Sequence, residues 1–410
     1  MDFKYVTRFL ESLSQRGIVG CDLAVALDGK IVYRHMTGMA DREAGRKIAA
    51  DSIYRMYSMT KPITCAAALQ LYEQGKFLMS DPVANFLPEF ANMKVAFTKP
   101  DGQKGEPVPA QRQITMRDLF TMSSGLNYDL ESPSVRALRE ATGGNFTTRE
   151  FAAAIAKEPL QFEPGTHFLY SLSHDVLGAA IEAISGKKLG EYFYENIFVP
   201  LGMKDTWFRV PESEMGRVAY CYEPQADGGE SKRLPYANTY QRGAQLESGG
   251  AGLSSTVEDY LKFASAMANL GQLPGGKRIL GRGTVELMRM DHLDPARRAD
   301  FDWIQFRGYG YGLGVRVLTD PAAAGAFGTP GEFGWGGAAG TYMLMDPAKG
   351  LSLIYAQQAL PSDEPYTHPR LRNLVYRALE ENAYGALPLK NPRQRDQSLW
   401  KPESAHAGMG

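Results

Sequence analysis

The chain of 410 residues has only three cysteines, Cys21, Cys65 and Cys221. An odd, sparse set cannot form a disulfide framework. Cysteine usage of this kind makes the cytoplasm the expected compartment. Charge of one sign is also missing: 45 Lys and Arg stand against 46 Asp and Glu, a net charge of -1. Without a basic face there is no electrostatic case for a nucleic-acid partner. No stretch approaches the roughly 18 uncharged apolar residues of a membrane span, so no transmembrane helix is predicted. The opening MDFKYVTRFLESLSQRG lacks the unbroken apolar run of a signal peptide. Its Phe3, Val6, Phe9, Leu10 and Leu13 are spaced instead for an amphipathic helix.

Familiar catalytic signatures are missing too. There is no G-x-S-x-G elbow, which disfavours an α/β-hydrolase. There is no H-E-x-x-H and no paired Cys-x-x-Cys, and the six histidines are scattered, so no metal site is predicted. Gly308-Tyr309-Gly310-Tyr311-Gly312-Leu313-Gly314 has the wrong spacing for a dinucleotide fingerprint and no helix after it. No cofactor is expected. What remains is 44% hydrophobic and 22% charged, the composition of an ordinary globular protein and most often of an enzyme.

The patterning puts strands at both ends of the chain and helices between. Residues 21–37 alternate on either side of an Asp28-Gly29 turn, the mark of a β-hairpin. Residues 309–318, 339–346 and 350–358 read as three further strands, and 366–384 as a helix. Helices are expected at 62–75, 115–122, 148–157, 173–185, 190–197 and 256–270, with Ser255 and Glu258 as a capping box for the last. The economical architecture is α+β. One antiparallel sheet is assembled from residues 1–61 and 251–390, a mostly helical region spans 62–250, and 391–410 forms a polar tail. Long Gly/Pro-rich loops at 99–113, 222–247 and 320–334 are expected to shape a pocket.

Three segments carry chemistry. Ser58-Met59-Thr60-Lys61 is an S-x-x-K tetrad entering an apolar, small-residue helix. Residues i and i+3 share a helix face, so the Lys61 nitrogen can reach the Ser58 hydroxyl. A serine hydroxyl is a weak nucleophile until a base takes its proton, and a lysine acts as that base when burial or nearby charge lowers its pKa. Pro62 fits only the first helical turn, which places Ser58 at the helix N-terminus. By itself the tetrad also fits a capping serine followed by a surface lysine. Second, Tyr170 follows a Pro164-Gly165 turn just before the helix at 173–185, where its phenol can project into a cleft and relay protons, as phenolate beside a protonated lysine. A buried core tyrosine is the alternative. Third, Phe333-Gly334-Trp335-Gly336-Gly337-Ala338-Ala339-Gly340-Thr341 reads as a strand edge so poor in side chains that a ligand can approach its backbone. Such an edge can offer N–H donors to an oxyanion, with Trp335 as a flat apolar wall. A Gly-rich turn with a packing tryptophan fits as well. His174 reads as a loop or helix-surface residue rather than a triad member.

In this order the three segments resemble the serine β-lactamase and penicillin-binding superfamily, whose nucleophile motif is S-x-x-K. The similarity is greatest to its class C-like branch. Leu119-x-x-Met122-Ser123-Ser124-Gly125-Leu126, Pro200-Leu201-Gly202-Met203 and Gly249-Gly250-Ala251-Gly252-Leu253-Ser254-Ser255-Thr256 also resemble family segments, and the match runs from about residue 5 to about 385. The resemblance implies Ser58 as the acylated nucleophile, Lys61 as its proton partner and Tyr170 as the third catalytic residue. It implies an oxyanion hole from the Ser58 and Ala338 N–H groups, with Tyr57, Leu172, Trp335, Gly336 and Gly337 lining the substrate site.

Two departures bear on substrate. The family's Y-x-N is here Tyr170-Ser171-Leu172, and its K-T-G position holds Trp335-Gly336-Gly337. Both resemble the family VIII carboxylesterases. An indole cannot pair with a carboxylate, so poor β-lactam turnover and better hydrolysis of small neutral esters are expected. The alternatives are a D-amino-acid peptidase, amidase, weak β-lactamase or acyltransferase on the same Ser-Lys-Tyr machinery, or a catalytically silent binding protein. No oligomeric state follows from the pattern.

Overall fold

The computed structural model describes residues 1–98, 102–103, 105–225, 229–235, 245–301 and 303–384, with only the backbone at 381–384. The expected tail at 391–410 and parts of the expected loops at 99–113 and 222–247 lie outside the described residues.

The fold is α+β, built on an antiparallel sheet of eight strands. Its strands are β1 (Gly20–Leu27), β2 (Lys30–Asp41), β3 (Arg46–Lys47), β4 (Tyr309–Tyr311), β5 (Arg316–Leu318), β6 (Phe333–Gly337), β7 (Thr341–Asp346) and β8 (Leu351–Gln357). Their spatial order is β4-β5-β6-β7-β8-β1-β2-β3. The two chain ends meet where β1 pairs with β8, from Cys21 opposite Gln357 to Leu27 opposite Leu351. The β1–β2 turn puts Asp28 and Gly29 at φ 48° and 75°, the left-handed pair that a two-residue hairpin requires.

Period-two alternation sorts the sheet's side chains into two cores. Leu23 and Val25 of β1, with Leu344 and Leu353, pack against Val6, Leu10, Leu371 and Val375. The last four come from α1 (Lys4–Ser12) and, in the final pair, the C-terminal helix Glu364–Tyr384. On the opposite face Ala24, Ala26, Met343 and Ile354 join the larger core. That core contains α2 (Thr60–Glu73), α3 (Ser173–Ser185) and α4 (Val257–Ala268), and the C-terminal helix completes the set as α5. Leu353 is fully buried, and its truncation to alanine costs about 2–5 kcal/mol.

Helix α2 is buried along most of its length because Cys65, Ala66, Ala67 and Ala68 give it small apolar side chains on several faces. Pro62 lies in its first turn, where it removes no hydrogen bond the helix needs.

Several expectations are corrected. The segment 309–318 is a hairpin rather than one strand, because Gly312-Leu313-Gly314 turns the chain between β4 and β5. The cap of α4 is Thr256, whose side chain accepts from the Asp259 N–H. Ser255 shares a 2.7 Å hydrogen bond with Thr206 instead. Two capping boxes formed by Thr115 with Asp118 and Thr147 with Glu150 start helices that hydrophobic spacing alone had located; such caps contribute about 1 kcal/mol each. Helices at Pro133–Thr142, Arg282–Met288 and Pro295–Asp300 had no expectation. The loop at 320–334 contains the short helix Pro321–Ala324.

Candidate active site

Ser58 lies in a 3-10 turn, Tyr57–Met59, that runs directly into α2. Tyr57 before it holds φ 45°. A non-glycine residue pays about 1–3 kcal/mol for that conformation, and such strain concentrates at functional sites. Packing of Tyr57 with Cys221 and Ala339 holds it there.

One helical turn on, Lys61 is fully buried. Its Nζ donates to the Gly250 carbonyl at 2.7 Å and to Ser58 Oγ at 3.2 Å. The same nitrogen stands over two aromatic faces, 4.5 Å from the Tyr170 ring centre and 5.3 Å from that of Tyr128. The two rings are stacked, with centres 5.4 Å apart.

Tyr170 sits in the loop just ahead of α3. Burial pushes its phenol well above the ordinary tyrosine value, against a lowering effect of hydrogen bonds with Ser58 and Trp335. The expected phenolate is therefore corrected: desolvation keeps the hydroxyl protonated at rest. The Trp335 indole N–H donates to the Tyr170 hydroxyl at 3.4 Å.

Trp335, 3% exposed, is the centre of an aromatic box. Tyr170 lies at 5.6 Å, Phe306 at 5.4 Å, Tyr311 at 5.3 Å and Trp303 at 6.3 Å, ring centre to ring centre. Trp303 is exposed and meets Tyr170 edge-on at 5.6 Å. The box makes one wall of the site apolar.

Strand β6 closes against the nucleophile turn. A Cβ added at Gly337 would lie 2.2 Å from the Met56 carbonyl oxygen, and Thr341 Oγ1 donates to that same oxygen at 3.2 Å. This approach sets Ala338, exposed just past the end of β6, beside the Ser58 turn.

The structure thus gathers Ser58, Lys61, Tyr170, Trp335, Gly337 and Ala338. Gly336 is the partly exposed residue of β6. Leu172 is not brought into the aromatic wall. It is 1% exposed and packs in the helical core near Leu126 and Ile155, because Leu172 is the N-cap residue of α3 and turns inward with it. His174 is corrected as well: it is buried on the first turn of α3, 3.5 Å from Cys65 Sγ. Burial, reinforced by Lys61, pushes its imidazole down to about 3, so it stays neutral and serves as packing.

Sequence reasoning missed a supporting shell. Asp175 is buried, and burial raises its carboxyl above the usual range while Ser248 and Lys61 pull it back. It accepts from Ser248 Oγ at 2.5 Å and from the Gly250 N–H at 3.3 Å. A Cβ at Gly250 would lie 2.4 Å from Asp175 Oδ2, so a side chain there would displace the carboxylate. Asp175 therefore fixes the residue whose carbonyl holds Lys61. The available signal was the Gly249-Gly250 pair, quoted for its resemblance but given no role. Among the described residues no cluster of three or more His, Cys, Asp or Glu could hold a metal ion, and no helix is long and apolar enough to cross a membrane.

Comparison with known proteins agrees with this geometry. Residues 4–376 match the family model described as Beta-lactamase. Esterase EstB of Burkholderia gladioli is 34% identical over 371 residues, 84% of this chain and 87% of its own. Protein Rv1367c of Mycobacterium tuberculosis is 34% identical over 342 residues, 81% of this chain and 84% of its own. Among solved structures, EstCE1, described as a hydrolase with promiscuous acyltransferase activity, superposes with a TM-score of 0.72 at 26% identity, covering 92% of this chain and 97% of its own. The chain belongs to the beta-lactamase family.

Proposed function

We propose that the chain is a serine carboxylesterase that hydrolyses small-molecule esters through an acyl-enzyme on Ser58. The observation that carries this is the placement of Lys61 Nζ 3.2 Å from Ser58 Oγ, beside an apolar aromatic box with no cation at the K-T-G position. The similarity to an esterase over 84% of the chain supports the same reaction.

The Ser58 oxygen attacks the ester carbonyl as the Lys61 amine takes its proton. The Ser58 and Ala338 N–H groups receive the oxyanion of the tetrahedral intermediate. Tyr170, held protonated by burial, gives its proton to the departing alcohol and regains one from Lys61. Water then enters, loses a proton to the same pair, and releases the carboxylic acid with Ser58 restored. Trp335 and the rings around it bind the apolar part of the ester, and short acyl chains are the expected substrates. The three cysteines are free and buried, which suits a reducing compartment such as the cytoplasm. The chain divides into 1–61 with 251–390 against 62–250, which puts Ser58 and Lys61 in the first unit, Tyr170 in the second and the site at their junction.

The test is hydrolysis of 4-nitrophenyl butyrate by the wild type and Ser58→Ala. The variant loses activity and the Ser58 adduct of a serine-reactive phosphonate. Undiminished hydrolysis by Ser58→Ala would sink the proposal. The promiscuous acyltransferase activity of EstCE1 favours transfer to an alcohol as a second outcome of the same acyl-enzyme. It is read by adding an acyl acceptor and measuring the ester product.

A further inference from the structure

Gly336 is partly exposed while the rest of β6 is buried. Facing it, from the first turn of α5, is a carboxylate that neither the motifs nor the mechanism uses. Glu364 Oε2 lies 3.6 Å from where a Gly336 Cβ would be, with His368 of the next helical turn at 3.4 Å. Ser362 Oγ donates to Glu364 Oε1 at 3.4 Å. Arg316 is the cation whose field reaches the carboxylate, but Arg316 is set against Glu332 at 3.6 Å. His368 is kept neutral by burial, which pushes it down to about 3. Among the described residues Glu364 forms no salt bridge, and its carboxyl, pushed up to about 7 by burial, carries its negative charge above that pH. The field of Glu364 reaches the Tyr170 hydroxyl, where it disfavours the phenolate.

We propose that Glu364 is a specificity-determining residue of the ester site, whose carboxylate beside Gly336 discriminates against substrates that carry a carboxylate along β6. The assignment rests on the esterase reading of Ser58. The absence of a cation at Trp335-Gly336-Gly337 makes anion binding weak; a fixed carboxylate at Gly336 makes it unfavourable, since like charges at close range in a partly buried cleft repel. A neutral ester carries no charge for that field to repel.

The probes are two matched pairs. One compares 4-nitrophenyl heptanoate with the 4-nitrophenyl monoester of adipic acid, placing the charge on the acyl side. The other compares 4-nitrophenyl butyrate with its 3-carboxy-4-nitrophenyl counterpart, placing it on the alcohol side. Burial holds the Glu364 carboxyl up at about 7, so the assay is run near about pH 8.5, where the group is ionised. Glu364→Gln and Glu364→Ala are each compared with wild type, and a melting curve establishes that each variant is folded. The readout is the charged-to-neutral ratio of kcat/KM, which a merely structural role would not move. In Glu364→Gln that ratio rises about tenfold for at least one pair. A rise of more than threefold in either ratio, in either variant, supports the assignment. Ratios within threefold of wild type for both pairs and both variants overturn it. The esterase reading is judged separately, on Ser58→Ala with the neutral probes alone, and its failure would overturn both.

Discussion

Lys61 Nζ is held more tightly by the Gly250 carbonyl than by Ser58: 2.7 Å to that oxygen against 3.2 Å to Ser58 Oγ. The stronger bond fixes where the nitrogen stands, and the weaker one leaves Ser58 free to move onto a substrate. Gly250 is itself fixed by Asp175. The base is thus placed by a chain of two residues, Gly250 and Asp175, neither of which needs to touch the ester.

Lys61→Met keeps the length and burial of the side chain and removes the base. General-base catalysis contributes about 10²–10⁴-fold, so kcat should fall by at least about a hundredfold while the melting curve stays near wild type. A kcat within tenfold of wild type, measured on 4-nitrophenyl butyrate, would show that Lys61 does not carry the proton.

Tyr170→Phe retains the stack on Tyr128 and loses only the hydroxyl. If the phenol protonates the leaving alcohol, the loss depends on the leaving group. Nitrophenolate departs without help, whereas an alkoxide does not. The expected outcome is a kcat loss on ethyl butyrate at least about tenfold greater than on the nitrophenyl ester. Equal losses on the two esters would remove the proton-donor role.

How much of this was legible beforehand depended on range. Ser58 and Lys61 are three residues apart, so helix geometry alone brings them together. The β1–β2 hairpin was equally local, set by alternation around Asp28-Gly29. Tyr170 and Trp335 came from motif and resemblance, since only the fold joins positions so far apart. Asp175 and Glu364 escaped because their partners, Gly250 and Gly336, lie 75 and 28 residues away and are marked only by a missing side chain. Leu172 was misplaced for a related reason. Sequence adjacency to Tyr170 suggested a shared pocket, but Leu172 is the N-cap residue of α3 and is buried in the helical core.

His368 carries a stability prediction. Its imidazole is buried, stacks on Tyr342 at 4.4 Å between ring centres and is hydrogen-bonded with the Gly340 carbonyl at 3.2 Å. Burial lowers its pKa from 6.5 to about 3 in the folded chain. The unfolded chain therefore takes up a proton between those values that the native state refuses. The contribution is present above about 6.5 and is lost as pH falls toward 3. One such proton corresponds to a slope of about 1.4 kcal/mol per pH unit. His368→Gln keeps a donor for Gly340 and cannot titrate. Its denaturation free energy should lose less than wild type between pH 6.5 and 4.5 by roughly that slope. Identical pH profiles for the two proteins would contradict the assignment.

Two adjacent glycines of β6 should behave oppositely, because alternate residues face opposite sides of a strand. At Gly337 an added methyl would stand 2.2 Å from the Met56 carbonyl oxygen and 2.3 Å from Thr341 Oγ1. Met56 is backbone two residues before the nucleophile, so the clash is relieved only by moving β6 away from Ser58. That movement separates the Ala338 N–H from the oxyanion. Loss of one oxyanion donor costs about 10²–10³ in kcat. At Gly336 the nearest atoms to an added methyl are the Thr341 carbonyl oxygen at 3.3 Å, His368 at 3.4 Å and Glu364 at 3.6 Å, so shifts of a few tenths of an ångström make room for it. Gly337→Ala should therefore lose at least about a hundredfold in kcat on 4-nitrophenyl butyrate, and Gly336→Ala less than about tenfold. Equal effects from the two substitutions, measured with both variants folded, would mean that β6 does not position the oxyanion hole through its contact with Met56.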